Sequence, residues 1–331
     1  MKKRILAIAI LSLILARTVF AVEVGKGPKQ ILVNGTHHAR ECLTAVLVLD
    51  QIDYIAKLKE ENKLAAGSNV SALLDKVTFV FVPLLNPDGA NLVLNGEVSL
   101  KEAFKNKGYL KPTLFKSWKA NINGVDLNRN YPTKHPDNPG SKVVGAENYK
   151  GITLLSEPET QALTKLCEER LFDGSISYHS SGEIIFWHFN QKEVLRDYQI
   201  AQAVAKATGY SLVKKGNPSR GNGFKDWFVE TYEKPGLTIE ISPYVGPQKV
   251  PFYTYQSIWE KNKNVPIIFA SQVNASVTRK TPYIPSQPVK PEEPVEQVEP
   301  IGPIEPEQVE EIENPIEEES VEQTQDQKGE S

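Results

Sequence analysis

The chain alternates between short, wholly apolar runs and longer segments whose apolar residues recur every three or four positions. Ile31-Leu32-Val33 closes on Asn34-Gly35. Val77 to Pro83 reads VTFVFVP, Gly236 to Ile241 reads GLTIEI, and two further runs cover Gly174–His179 and the stretch from Gly182 (GEIIFWHF). Runs rich in β-branched and aromatic residues predict strands, and the continuous ones predict strands buried on both faces of a mostly parallel sheet. Between them, Leu43, Val46, Leu47, Leu49, Ile52 and Ile55 mark a helix from Glu41 to about Leu58. Helices are also predicted over Glu157–Arg170, over Val194–Ala207 and from about Tyr255, the last broken or kinked at Pro266. Asn86-Pro87-Asp88-Gly89 predicts a turn, and Gly108 to Gly140 a long irregular loop of the kind usually kept for function. Strands alternating with helices predict an α/β fold: a mixed, mostly parallel, doubly wound sheet flanked by helices. Ligands of such sheets sit beyond the carboxyl ends of the strands.

The two ends of the 331-residue chain break this pattern. Lys2, Lys3 and Arg4 precede an apolar run from Ile5 to Ala16 and a small residue at Ala21, which predicts an export signal over residues 1–21. The run falls short of the roughly 20 residues a membrane span needs, so no stable span is expected. From about residue 276 to 331 the chain turns Pro/Glu-rich, and this acidic tail is expected to be disordered, since it cannot bury enough apolar surface to offset its ordering entropy. Residues 22–275 remain as one catalytic-sized domain. Over residues 281–331 the tail holds 15 acidic and 2 basic residues, a charge of −13; the chain's −3 therefore leaves +10 on residues 1–280. Setting aside the four leader cations leaves +6 on residues 22–280. A basic exported body suits polyanionic surroundings such as a cell wall. Nucleic acid is not an expected partner, because no binding motif appears. Cys42 and Cys167 could pair in an oxidising compartment, but each sits in a predicted helix among apolar neighbours, which favours two buried thiols.

The candidate chemistry gathers at predicted strand ends. His38 and Glu41, in GTHHAREC, form H-x-x-E where a strand hands over to a helix; residues three apart share a face and can converge on one cation. His179 ends a second strand, in SYHSSGE, and Glu240 a third. Two histidines and a glutamate form a catalytic zinc set. Taken alone, the H-x-x-E spacing is common, and His37, His135 and His188 read as structural or surface residues.

NGTHHARE, NPDG, GVDLNRNYP, SYHSSGE and LTIE, in that order, resemble the carboxypeptidase A-like zinc metallocarboxypeptidases. The resemblance runs from about Val24 to Ala270, so an N-terminally shortened version of that fold is expected. VGKGPK, SWKANINGVDLNRN and GFKDW look most like the bacterial branch that cuts the γ-D-glutamyl–diaminopimelate bond of peptidoglycan peptides. The resemblance implies one zinc ion held by His38, Glu41 and His179. It implies that Asp126 orients a ligating imidazole, that zinc activates water, and that Glu240 is the general base. Lys119 falls where many relatives place an arginine that stabilises the oxyanion. Arg40 would polarise substrate in the outer site, Asn128 and Arg129 would clamp a substrate carboxylate, and Lys225 would lie at the base of the side-chain pocket. Pro218 stands where these carboxypeptidases place a mobile tyrosine.

The implied protein is a secreted or wall-associated zinc metallopeptidase acting on a peptide or muropeptide. A broad-specificity metallocarboxypeptidase and a non-catalytic wall-binding relative impaired by N-terminal loss are the alternatives. A lysine at position 225 suits the extra carboxylate of diaminopimelate, with a solvated lysine as the plainer reading.

Overall fold

The computed structural model describes residues 19–99, 107–134, 139–189, 195–214 and 221–275; residues 1–18 of the leader expected over 1–21, and the expected acidic tail, lie outside them. A seven-stranded sheet organises the body. In chain order its strands are β1 (Val22–Gly25), β2 (Lys29–Gly35), β5 (Val77–Val82), β6 (Gly174–Ser180), β7 (Ile184–Phe186), β8 (Ser211–Leu212) and β9 (Gly236–Ile241), while β3 (Leu64–Ala65) and β4 (Ser68–Asn69) form a separate small hairpin. The spatial order is β1-β5-β2-β6-β9-β7-β8. The central four strands run parallel, β1 and β7 pair antiparallel with β5 and β9, and β8 pairs parallel with β7. This is the mixed, mostly parallel sheet that the apolar runs predict.

Both faces are covered, which explains the continuous apolar runs of β2 and β5; β6 and β9 alternate instead, with Ser175, Ser177, His179, Thr238 and Glu240 on the face that carries the site. On one face Ile31, Val33, Phe79, Phe81, Ile176, Tyr178, Ile239 and Ile241 pack against α1 (Leu43–Glu60), α5 (Leu195–Thr208) and α8 (Val265–Ala275). On the other, Leu32, Val80 and Val82 pack against α4 (Pro158–Arg170) and α6 (Phe224–Tyr232). Val19 and Ala21 pack against this second cluster as well. Strand β1 begins only at Val22, so a cut after Ala21 would leave it whole.

Three local outcomes refine the sequence pattern. Asn86-Pro87-Asp88-Gly89 is not a free turn but the start of α3 (Pro87–Asn95): the Asn86 side chain accepts from the Gly89 N–H at 3.0 Å, and proline at the first helical position sacrifices no hydrogen bond. The last helical segment is broken ahead of Pro266, as expected, and the break leaves two separate helices, α7 (Tyr255–Asn262) and α8, with Pro266 in the first turn of α8. Helix α6 and the short α2 (Val70–Leu74) have too few turns to show a period. Cys42 and Cys167 remain free, Cys167 buried and Cys42 half-buried.

The predicted loop before α4 is irregular yet pinned. Asn121 Oδ1 accepts from the N–H groups of Asn123 and Val125, shaping the turn that leads to Asp126. Its Nδ2 donates to Glu157 and Glu159, two buried carboxylates at the head of α4. Burial, with Glu157 and Asp88 nearby, outweighs the hydrogen bonds Glu159 accepts and pushes its carboxyl up to about 7.

Candidate metal centre and catalytic site

The site forms at the carboxyl ends of β2, β6 and β9, on the face covered by α4 and α6. The chain leaves β2 through Gly35, where a side chain would meet the Thr44 and Pro83 carbonyls at 3.0 and 3.1 Å, and through Thr36 in the left-handed region (φ 57°). Thr44 pins this turn: its Oγ1 accepts from the Thr36 N–H at 2.8 Å and donates to the Glu41 carbonyl at 2.7 Å. Buried Asn86 donates to the carbonyls of His37 and Ala120, holding the turn against the next loop. His38 and Glu41 thereby face the end of β6, whose His179 pairs in register with Glu240 of β9.

His38 Nδ1 lies 2.8 Å from Glu41 Oε1 and 3.1 Å from His179 Nδ1, and His179 Nδ1 lies 3.0 Å from Glu41 Oε2. The three side chains are buried, and one donor atom from each lies within 4.8 Å of the others. Two ligands bound at 2.0–2.2 Å to a tetrahedral ion sit about 3.3–3.5 Å apart, so small movements seat a zinc-sized cation here. His38 Nε2 donates to Asp126 Oδ1 at 3.0 Å, which fixes the tautomer and leaves Nδ1 as a lone pair aimed into the cluster. The donors therefore fit the ion.

The electrostatics fit as well. Although burial opposes ionisation, the imidazoles of His38 and His179 hold Glu41 below the usual carboxylate range. Against the same opposition, Lys119 and His38 hold Asp126 well below it. Burial and the Glu41 carboxylate push Glu240 up to about 8. A divalent cation at the cluster would draw it back down. His179 is lowered by burial despite Glu41, favouring the neutral ring a metal requires; against its burial, His38 is raised by Glu41 and Asp126, so a metal bound there would displace its proton.

The remaining predicted residues fall around this cluster. Lys119 Nζ is 3.6 Å from Asp126 Oδ2, with its side chain 12% exposed. Arg40 donates to the Ser117 carbonyl at 3.1 Å. Asn128 Oδ1 accepts from the Phe224 N–H at 2.9 Å and so joins α6 to the loop. Arg129 donates through Nη1 to the Asn128 carbonyl at 2.7 Å and through Nε to Asn148 Oδ1 at 3.0 Å. Lys225 is buried, not solvated: its ammonium donates to the His188 carbonyl at 2.7 Å and pairs with Asp226. His37, too, is wholly buried. It stacks on His179 with centroids 5.2 Å apart and shares a 3.0 Å hydrogen bond with the Tyr131 hydroxyl. Pro218 lies outside the described residues. Glu147 and Asn148 were not legible from sequence; they sit in an aperiodic loop, yet Glu147 reaches both Lys119 and Arg40, and Asn148 holds Asp126 and Arg129.

A His–Glu–His cluster backed by an aspartate, with a glutamate on the adjoining strand of a mixed α/β sheet, defines a zinc hydrolase site. The chain belongs to the zinc carboxypeptidase family, whose sequence profile matches residues 13–262. Two relatives narrow the comparison. Gamma-D-glutamyl-L-diamino acid endopeptidase 1 of Lysinibacillus sphaericus is 30% identical over 259 residues, 75% of this chain and 63% of that protein. The uncharacterized protein YqgT of Bacillus subtilis is 27% identical over 264 residues, 76% of this chain and 68% of that one. The chain thus spans a little under two thirds of the first relative's length. Among solved structures, bovine thrombin-activatable fibrinolysis inhibitor in complex with tick carboxypeptidase inhibitor shares the fold, with a TM-score of 0.61 at 18% identity over 77% of this chain and 85% of that chain.

Proposed function

We propose that the chain is a zinc-dependent peptidase that hydrolyses peptidoglycan stem peptides at the γ-D-glutamyl–diaminopimelate bond. The observation that carries this reading is the convergence of His38, Glu41 and His179 with Glu240 in register beside His179. The likeness to a protein named for γ-D-glutamyl-L-diamino acid cleavage supports the choice of bond.

His38, Glu41 and His179 would hold a zinc ion, which would supply Lewis-acid chemistry and bring the pKa of water to about 7. Glu240 takes a proton from the attacking water and returns it to the leaving nitrogen as the C–N bond breaks. Lys119 places positive charge where the carbonyl oxygen becomes negative, and Arg40 polarises the substrate in the outer site. Asn128 Nδ2 and Arg129 Nη2, which carry no hydrogen bond among the described residues, bind the leaving side's carboxylate, for which a guanidinium fork is suited. Lys225 receives the second carboxylate of diaminopimelate, its ammonium already desolvated against Asp226 and the ring of Phe189. We further propose that residues 1–21 export the protein to the wall, with removal after Ala21.

The test is to express the full chain, count bound zinc, and incubate it with L-Ala-γ-D-Glu-diaminopimelate and with an ordinary peptide, with and without chelator. Chelator-sensitive release of diaminopimelate supports the reading. Equal trimming of ordinary peptides makes it a broad carboxypeptidase, and zinc and muropeptide binding without turnover makes it a wall-binding relative.

A further inference from the structure

Two cations beside the metal cluster are occupied by a carboxylate of the chain itself. Glu147 Oε1 lies 2.5 Å from Lys119 Nζ, and Glu147 Oε2 lies 3.8 Å from Arg40 Nη2. The partners differ sharply in exposure. The Arg40 and Lys119 side chains are 10% and 12% exposed, whereas that of Glu147 is 49% exposed. The cations are also fixed from behind, Lys119 by Asp126 and Arg40 by the Ser117 carbonyl. The anion is held only at its tip. Its neighbour Asn148, left-handed at φ 68°, donates its N–H to Asp126 Oδ2 at 3.1 Å and anchors the backbone. A largely desolvated cation pair with a half-exposed counter-ion is a seat where one carboxylate can replace another: water solvates the departing Glu147, and the incoming carboxylate re-pairs cations that water reaches poorly.

The seat is distinct from the Asn128–Arg129 pair and from Lys225, which serve the leaving side. Resting on the γ-D-glutamyl reading above, the chemistry of the acyl side then matters. In a γ-linked glutamate the side-chain carboxyl forms the bond to be cut, so the α-carboxylate stays free on the acyl side, a short carbon chain from the scissile carbonyl. An α-linked peptide has a carboxylate at that distance only where its residue is itself glutamate. We infer that Glu147 is a stand-in for that carboxylate: a γ-glutamyl substrate places its free α-carboxylate on Arg40, Glu147 turns out to water and frees Lys119 for the carbonyl oxygen, and the exchange selects γ-glutamyl bonds over α-linked bonds of uncharged residues.

The experiment compares the zinc-loaded full chain with Glu147→Gln on two substrates identical except at the glutamyl α-position, one a free acid and the other its primary amide. Removing the competing charge should lower KM for the free acid by about two- to fivefold, the worth of a half-exposed ion pair. KM for the amide and bound zinc should stay unchanged, and Glu147→Ala should act in the same direction. Equal changes for both substrates, or a raised KM for the free acid, overturn the inference, because Glu147 would then only orient the cations. A wild-type protein that cuts neither substrate refutes the peptidase reading instead. Calorimetric titration with the γ-methylamide of D-glutamate then decides the inference: Glu147→Gln must bind it more tightly than wild type, and equal binding overturns the stand-in.

Discussion

Replacing Asp126 by asparagine probes how far the metal centre depends on one buried anion. Every partner of the Asp126 carboxylate is a donor or a cation: His38 Nε2 at 3.0 Å and the Asn128 N–H at 3.2 Å on Oδ1, the Asn148 N–H at 3.1 Å and the Lys119 ammonium at 3.6 Å on Oδ2. Asparagine has one acceptor oxygen, so in either orientation its NH2 group faces donors. If the oxygen stays on His38, the NH2 confronts Asn148 and Lys119; if it flips, His38 loses its acceptor and its tautomer is no longer fixed. Loss of such a supporting group typically weakens metal binding by about 10–100-fold. At saturating zinc that removes about 1.4–2.7 kcal/mol of ligand stabilisation. The assay is competition with a chromophoric chelator for zinc affinity, joined with thermal unfolding with and without zinc. The variant should show the weaker affinity, and its zinc-induced rise in Tm should shrink accordingly. Zinc affinity within about threefold of wild type would refute the claim that Asp126 prepares His38 for the ion.

Glu240→Gln should keep its zinc while kcat on the muropeptide falls by about 10²–10⁴-fold, read by metal analysis beside steady-state kinetics. Lys225→Met should lower kcat/KM on diaminopimelate substrates far more than on analogues lacking the distal carboxylate; equal losses on both would remove Lys225 from specificity. Glu159 supplies a pH signature away from the metal. Its folded pKa of about 7 exceeds the unfolded value of 4.5, so the folded state binds the extra proton. That stability is fully present below about pH 4.5 and is lost as pH rises through 7, about 3 kcal/mol in all at 1.36 kcal/mol per unit. Glu159→Gln should abolish this loss, so its Tm advantage over wild type should be larger at pH 8 than at pH 5.

The sheet and the ligand trio were legible in the sequence for the same reason. The β-branched and aromatic runs of β2 and β5 and the shorter alternations of β6 and β9 mark strands, and the ionisable residues fall where strands end, at His38, His179 and Glu240. The head of α3 was misread because Asn-Pro-Asp-Gly serves equally as a turn and as a capped helix start, and only the Asn86 side chain decides between them. Helix α6 spans nine residues, too short for a period to stand out against its aromatic content. Glu147 and Asn148 act through contacts with residues up to 107 positions away in a loop without repeat, so no local pattern singles them out. The burial of Lys225 is likewise a tertiary fact, set by the His188 carbonyl and Asp226.

The register of β2 against β6 carries one more consequence. His38 and His179 are 141 residues apart and meet only because Gly35 pairs with Tyr178. A slip of one residue would turn His179 to the opposite side of the sheet, into the oily layer beneath α1. Ion uptake would thus act as a proofreader of strand alignment: a misaligned molecule would have no third ligand to offer, and a captured cation would staple the correct pairing shut.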